Sequence, residues 1–393
     1  MSRLGDIAKI QAGQAAPTEF GTEGYPFIRA GHLDILLNGA TLNELPKVND
    51  EVAAKNKLNL LQAGSILFAK SGMSATKNRV YVTNEKSYFV SHLASINPGE
   101  KLNGKYLAYY FRWFKPSTLI IDEAYPSIRL SEIANLKIPL LPLPEQQKIA
   151  SILDAADNLR QKDQQLIEKY TALSQSLFLE MFGDPVINPH NFPSYKLSDA
   201  YINAKEGTKC GPFGSALKKF EYTEKGVPVW VMDNIQKSNF VFEKCLFITE
   251  EKYLSLNNYS TLKGDIIISR AGTVGKMCVV PDGYKQAIIS TNLIRLRLDN
   301  KILLPLFFVL LMKYFATKIG RIKTGPDGSF THMNTGVLND LTFPFPPISL
   351  QIQFYEHIQL IEAQKLLAQA SLEKSEALFN SLLQRAFKGE LTA

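Results

Sequence analysis

The segment "IPLLPLPEQQKIASILDAADNLRQKDQQLIEKY", residues 138–170, passes abruptly from alternating proline and aliphatic residues into a long polar helix. Pro144 suits a first helical turn, where its missing N–H is not needed, and Pro139 and Pro142 stiffen the approach. The same element returns 205 residues later in "FPFPPISLQIQFYEHIQLIEAQK", which starts at Phe343. Pro139 falls on Pro344, Pro142 on Pro347, Gln146 on Gln351 and Phe182 on Phe387, without a gap. The repeat continues upstream: "LQAGSILFAKSGMSATK" (61–77) matches "LKGDIIISRAGTVGKMC" (262–278), and "YPFIRAGHLD" (25–34) matches "VPVWVMDNIQ" (227–236). A unit of about 200 residues exceeds solenoid periods of about 20–50, so the pattern is domain duplication in the order globular, helix, globular, helix.

Short β-rich runs bounded by Gly, Asn and Asp ("SILFA", "RVYVT", "DIIIS", "LIRLRL") alternate with the amphipathic helices "GKYLAYYFRWF" and "PLFFVLLMKYFATKI". Each half is therefore expected to be an α/β or α+β domain with a mixed sheet. In the long helices, Ile152, Ala156, Leu159, Asp163, Leu166, Tyr170, Leu173 and Leu177 follow a 4,3 spacing, as do Phe354, Ile358, Ile361, Lys365, Ala368, Leu372, Ser375, Phe379, Leu382 and Ala386. That spacing predicts a coiled-coil seam. One such stripe is unstable alone in water, so each helix needs a partner, and the duplication supplies one. Antiparallel packing would put the globular halves at opposite ends under a pseudo-twofold, on a rod of about 57 Å at about 1.5 Å per residue.

The 393 residues carry 45% apolar side chains, enough for normal cores, and a net charge of +7. The two long-helix segments hold −3 between them, so the globular segments hold +10, where a polyanion would be touched. No run reaches the roughly 18 apolar residues of a membrane span, and "MSRLGDIAKIQAG" lacks a signal-peptide core, so a cytoplasmic protein is expected. Cys210, Cys245 and Cys278 are isolated and suggest neither disulfides nor zinc. The five histidines have no partner spacing, "SRAGTVGK" lacks the P-loop pattern, and "PDGYK" lacks a second acid and lysine. No catalytic constellation and no metal site is expected in this chain.

The order domain, helix, domain, helix resembles the specificity subunit of Type I restriction-modification enzymes. The resemblance is carried by "LPLPEQQKIASILD", "GDIIISRAGTVGK", "GPFGS" (211–215) and "RLSEIANLKIPLLPLPEQQ", and covers nearly the whole chain. It implies target recognition domains at 1–143 and 184–347, and spacer helices at 144–183 and 348–393. It also implies a non-catalytic subunit that recognises double-stranded DNA and binds two methyltransferase subunits and two restriction/translocase subunits. Those partners would use S-adenosylmethionine, ATP and Mg²⁺; this chain would hold no cofactor. "ISLQIQF" stands where "LPEQQKI" is expected, and "AKSGMSATK" lacks the Thr-x-Gly-Lys of its counterpart.

Two basic domains on a spacer suit two half-sites about one helical turn, roughly 34–36 Å, apart. Arg270, Thr273 and Lys276 beside two glycines are candidates for phosphate contact, as are Lys70, Ser71, Ser74 and Lys77 at the equivalent turn. Tyr125, Ser127 and Arg129, and in the other half Lys323, Thr324, Asp327 and Ser329, are candidates to read base edges. Lys218 and Lys219 suit phosphates better than bases. The alternative for each is a plain solvated turn, and for the whole chain a non-catalytic scaffold that grips proteins or RNA.

Overall fold

The computed structural model describes residues 1–212, 216–236, 239–242, 245–270, 275–283, 286–319 and 333–391. Two compact units emerge, Met1–Gln165 with Ala368–Ala393, and Leu166–Leu367. The first long helix, Leu143–Phe182, and the second, Ile348–Lys388, each begin in one unit and end in the other.

In the first unit, strands Ala8–Ala12, Leu93–Pro98, Ile66–Ala69 and Val80–Val82 form an antiparallel sheet in that order. A second sheet places Tyr25–Ile28 between Lys47–Val48, antiparallel, and Tyr88–Phe89, parallel. Strand Ser2–Arg3 pairs with Lys137–Ile138, directly before the proline run. The run "ILFA" is apolar throughout because successive side chains point to opposite faces and both faces are covered. Ile66 and Phe68 enter the core built on helix Gly104–Phe114, while Leu67 and Ala69 enter the core behind the second sheet.

The second unit repeats this plan. Thr208–Cys210, Leu293–Leu296, Ile266–Ser269 and Met277–Val279 form the four-stranded sheet, and Leu246–Ile248, Val227–Trp230 and Ile288–Ile289 the three-stranded one. Ile66 opposes Ile96 as Ile266 opposes Leu296, and Ser194–Lys196 pairs with Thr342–Pro344 before the second proline run. Ile266 and Ile268 face the core on helix Pro305–Ile319; Ile267 faces the other. Gly13 and Gly211 occupy equivalent places, donating to the carbonyls of Leu93 and Leu293. A Cβ there would lie 2.2 Å from the Phe89 oxygen or 1.9 Å from the Ser290 oxygen, so only glycine fits. The interiors differ, however. Arg295, fully buried, donates to Glu206 at 2.6 Å and Ser260 O at 2.6 Å, and Arg297 forks onto Asp265 at 2.7 and 2.8 Å. Ser95, Asn97 and Ser65 hold those strand positions in the first unit.

Both proline runs end in the same clip. Gln146, fully buried, accepts from Asn103 N–H at 2.8 Å and donates to the carbonyls of Lys101 at 3.0 Å and Leu141 at 2.7 Å. Gln351, equally buried, accepts from Leu304 N–H at 2.9 Å and donates to Ile302 at 3.1 Å and Pro346 at 2.9 Å. The change from "LPEQQKI" to "ISLQIQF" leaves this docking intact.

The second long helix buries the expected stripe. Phe354 and Ile358 pack in the second unit's core; Ala368, Ser375, Phe379 and Ala386 are buried in the first unit. The first long helix corrects its expected seam. Ala156 and Asp163 are buried, but Leu159, Leu166 and Leu173 are exposed, and the residue after each turns inward instead: Arg160 and Ile167 half-buried and Ser174 buried. The reason is polar: within the first unit Asp163 accepts from Ser371 at 3.1 Å and Ser375 at 2.8 Å, and Asp157 takes a fork from Arg112 at 2.9 and 3.2 Å plus Arg160 at 3.0 Å. The Arg112 guanidinium also lies 4.7 Å from the Phe379 ring centroid. Residue 163 meets 371 and 375 while 160 meets 379, so the two helices run antiparallel in this unit.

Replacing Gln146 or Gln351 by Leu removes the side-chain partner of one N–H and two carbonyls at a part-buried junction. Each variant is expected to lose about 3 kcal/mol or more of unfolding free energy in urea titrations of the corresponding unit. Equal stability to the parent chain would show that the clip does not carry the helix.

A second expectation concerns acid. Burial alone would raise the Glu206 pKa, but the hydrogen bond and charge of Arg295, then the charges of Arg297 and Lys209, outweigh it and hold the carboxyl below its ordinary 4.5. The folded value is depressed, so the contribution is present above about pH 4.5 and is lost as pH falls through the folded pKa. Glu206→Gln should lower stability at pH 7 by about 3 kcal/mol, because Arg295 stays buried with less counter-charge. It should also flatten the acid limb of the second unit's melting curve; an unchanged acid limb would remove Glu206 from the linkage.

Candidate nucleic-acid interface

Two segments of the first unit that lie far apart in sequence meet at the end of the four-stranded sheet. The chain leaves strand Ile66–Ala69 at Lys70, passes a 3-10 turn at Met73–Lys77 and returns at Val80. The loop holding Tyr125, Ser127 and Arg129 pairs with its start: Gly72 N–H donates to Pro126 O at 2.9 Å, and Ile128 N–H to Lys70 O at 2.7 Å. Ser71 and Ser127 form the antiparallel bridge between them. Gly72 has φ +70°, a left-handed conformation natural to glycine, and this aims its N–H at Pro126. Ala75, Pro126 and Ile128 are buried beneath, so the joined loops rest on the core.

Above that anchor, Lys77, Tyr125, Ser127 and Arg129 are exposed, and Lys70, Ser71 and Ser74 half-buried. Among the described residues no ion pair engages Lys70, Lys77 or Arg129. Three unpaired cations on a fixed surface are available to phosphates, while serine hydroxyls and Tyr125 offer neutral hydrogen-bonding groups beside them.

His92, given no role by its sequence spacing, belongs to this surface. Its carbonyl accepts from Lys70 N–H at 2.9 Å and its Nδ1 shares a hydrogen bond of 2.8 Å with Ser71 Oγ. Arg29 lies at the same edge. The parallel strands Tyr25–Ile28 and Tyr88–Phe89 end together, Val90 N–H donating to Ile28 O at 2.9 Å, and the exposed Arg29 caps the Phe20 ring at 4.9 Å. Neither residue was visible as a candidate, because their only sequence signal is that each follows a strand whose partner is distant.

In the second unit Arg270 N–H donates to Asn292 O at 3.0 Å, the counterpart of Lys70 on His92. Lys276 is exposed and its N–H donates to Ser269 Oγ at 2.9 Å. The chain leaves its strand at Ser269 and re-enters at Met277, a shorter connection than the one from Ala69 to Val80. Thr273, Lys323, Thr324, Asp327 and Ser329 lie outside the described residues, as do residues 213–215 of the "GPFGS" motif. Lys218 and Lys219 are exposed on a different core: Ala216, Leu217 and Tyr222 around them pack against Val227, Val229 and Ile248 of the three-stranded sheet. The Lys218 ammonium lies 5.6 Å from the ring centroid of the exposed Phe220.

Among the described residues no helix is long and apolar enough to cross a membrane. The sequence matches the family described as Type I restriction modification DNA specificity domain over residues 1–169 and 213–373. It is 24% identical to the Type I restriction enzyme MjaVIII specificity subunit of Methanocaldococcus jannaschii over 388 residues, covering 92% of this chain and 85% of that one. It is 21% identical to a putative Type I restriction enzyme specificity subunit of Haemophilus influenzae, covering 73% and 71%. Among solved structures, the S subunit of a Type I restriction-modification system from M. genitalium has the same fold at 16% identity, with a TM-score of 0.56 over 98% of this chain and 95% of that one. With both halves matched and the duplicated sheets and paired long helices in place, the chain belongs to the Type I restriction-modification DNA specificity family.

Proposed function

We propose that this chain reads an asymmetric, bipartite double-stranded DNA target, one half-site with each globular half. DNA sequence recognition in a Type I restriction-modification complex is the role its family membership gives it, and the other subunits of that complex are its partners. The observation that supports the finer reading is the joined platform of the first unit. Segments 70–77 and 125–129 are locked to one another by backbone hydrogen bonds, with unpaired cations above a buried anchor. Lys70, Lys77 and Arg129 would hold phosphates and set the register; Ser71, Ser74, Tyr125 and Ser127 would face base edges. Arg270 and Lys276 are assigned the equivalent phosphate role in the second unit, with Thr273 and the loop of Lys323, Thr324, Asp327 and Ser329 as its readers and Lys218 and Lys219 as further phosphate contacts.

On this reading residues 1–143 and 184–347 are the recognition domains, and 144–183 and 348–393 the spacers that set the unread gap. Each spacer would also dock one of two methyltransferase subunits, and two restriction/translocase subunits would complete the assembly in the cytoplasm. S-adenosylmethionine, ATP and Mg²⁺ would belong to those partners.

Exchanging residues 184–347 for the corresponding segment of a relative tests the division. Methylation-sensitive sequencing of a host expressing the hybrid with its partners should show one half-site altered and the other retained; a joint change in both would end the idea of independent readers. Spacing has its own test. Four residues inserted between Gln161 and Gln164 add roughly 6 Å of helix, just under two base pairs at about 3.4 Å each. Both half-sites should persist with the gap longer by about one or two base pairs, whereas a folded, assembled variant that keeps the original gap would show that the helices do not set it.

A further inference from the structure

The first unit exposes two large apolar side chains on the segments that carry the cations Lys77 and Arg129. Tyr125 is 81% exposed and Met73 69% exposed. Met73 directly follows Gly72, whose N–H donates to Pro126 O, and Tyr125 directly precedes Pro126, so the two flank the same pinned junction. Both stand on the pinned platform, next to buried Pro126 and close to buried Ala75, so neither is a frayed loop tip. Lys77 and Arg129, exposed and with no ion pair among the described residues, lie on the same two segments.

Apolar surface held out in water is a cost that a binding partner relieves, and the cations around it specify a polyanion. Phosphates gain nothing from a thioether or an aromatic ring; base faces do. Tyrosine adds a large rigid surface with little side-chain entropy to lose, and the backbone bonds to Pro126 and Ile128 have already ordered its loop.

Resting on the interface reading above, we propose that Met73 and Tyr125 form a wedge that enters the duplex at the first unit's half-site, stacks on a base pair and opens the adjacent base step. The sequence dependence of that opening would add readout at a step that the serine hydroxyls do not touch, because pyrimidine–purine steps unstack most easily. Asp122 and Glu123, which precede Tyr125, would repel a backbone-only docking and favour a tip turned toward the bases.

The test uses the chain assembled with its methyltransferase subunits and a duplex carrying the methylated site mapped in the host. 2-Aminopurine is placed in turn at each half-site position other than the methylated base. The parent complex should raise its fluorescence at one step of one half-site. Met73→Ala with Tyr125→Ala should abolish that rise and weaken binding by about tenfold without altering the slope of log affinity against log salt, while Tyr125→Phe, which keeps the ring and loses only the hydroxyl, should keep the rise. Lys77→Ala should keep the rise and reduce the salt slope by about one. Absence of any rise in the parent complex, or a rise that survives in the double variant, overturns the wedge while a lowered slope in Lys77→Ala leaves the interface standing. If neither Lys77→Ala nor Arg129→Ala moves the slope, the interface reading itself falls.

Discussion

Everything in each unit hangs on one buried glutamine. A helix that starts where a proline-rich segment leaves a sheet presents carbonyls with no strand partner, and the neighbouring short helix presents an N–H with no helical acceptor. A side chain that closes such a junction needs one acceptor and two donors on a single rigid group. Glutamine has that set; glutamate lacks the donors, leucine lacks everything, and asparagine is a methylene shorter. Gln146 takes Asn103 N–H and gives to Lys101 and Leu141, and Gln351 takes Leu304 N–H and gives to Ile302 and Pro346. The angle at which each long helix leaves its sheet is thereby tied to the helix that floors the core. Packing of Leu153 against the first core, and of Phe354 and Ile358 against the second, follows from that tie.

The fold was legible wherever the duplication could be checked against itself. Two copies of the proline run, two glycine turns at Gly64 and Gly264 and two amphipathic helices made the element order plain. The second helix's seam was legible because Phe354, Ile358 and Phe379 leave one way to bury it. The first helix misled through its leucines. Leu159, Leu166 and Leu173 have the right period and the right chemistry, yet they stay in water while Asp157, Asp163 and Ser174 are buried. Hydrophobic spacing cannot foresee this, since the choice of face was made by partners more than 40 residues away: Arg112 for Asp157, Ser371 and Ser375 for Asp163. A carboxylate with such donors costs little to bury, and the leucine face is left free.

The candidate site was legible in part, for a similar reason. Lys70–Lys77 stands out by its glycine, serines and cations, Tyr125–Arg129 by its polar residues ahead of the strand that leads into the long helix, and nothing in the sequence says that the two touch. Their union is a matter of strand order: the hairpin at Gly72 and the loop before helix Leu130–Asn135 reach the same edge. His92 and Arg29 escaped notice because a lone histidine or arginine after a strand has no pattern until parallel pairing of Tyr25–Ile28 with Tyr88–Phe89 brings the strand ends level.

The two units share sheets and clips but not interiors, and this limits how their surfaces can diverge. Arg295 and Arg297 cross from strand Leu293–Leu296 and its end to Glu206, Asp265 and Ser260, in positions where the first unit has small or neutral residues. The same strand is followed back to Asn292, which holds Arg270, just as the strand after His92 holds Lys70. The strand that holds the Arg270 backbone is therefore braced by Arg295 and Arg297, three and five residues beyond Asn292. Moving the Arg270 turn alone onto the first unit would carry the cation without the Asp265–Arg297 pair that braces its strand. The halves thus differ in the strand pairs beneath their loops as well as in the loops themselves, so a loop moved alone would leave behind the ion pairs of the sheet it came from.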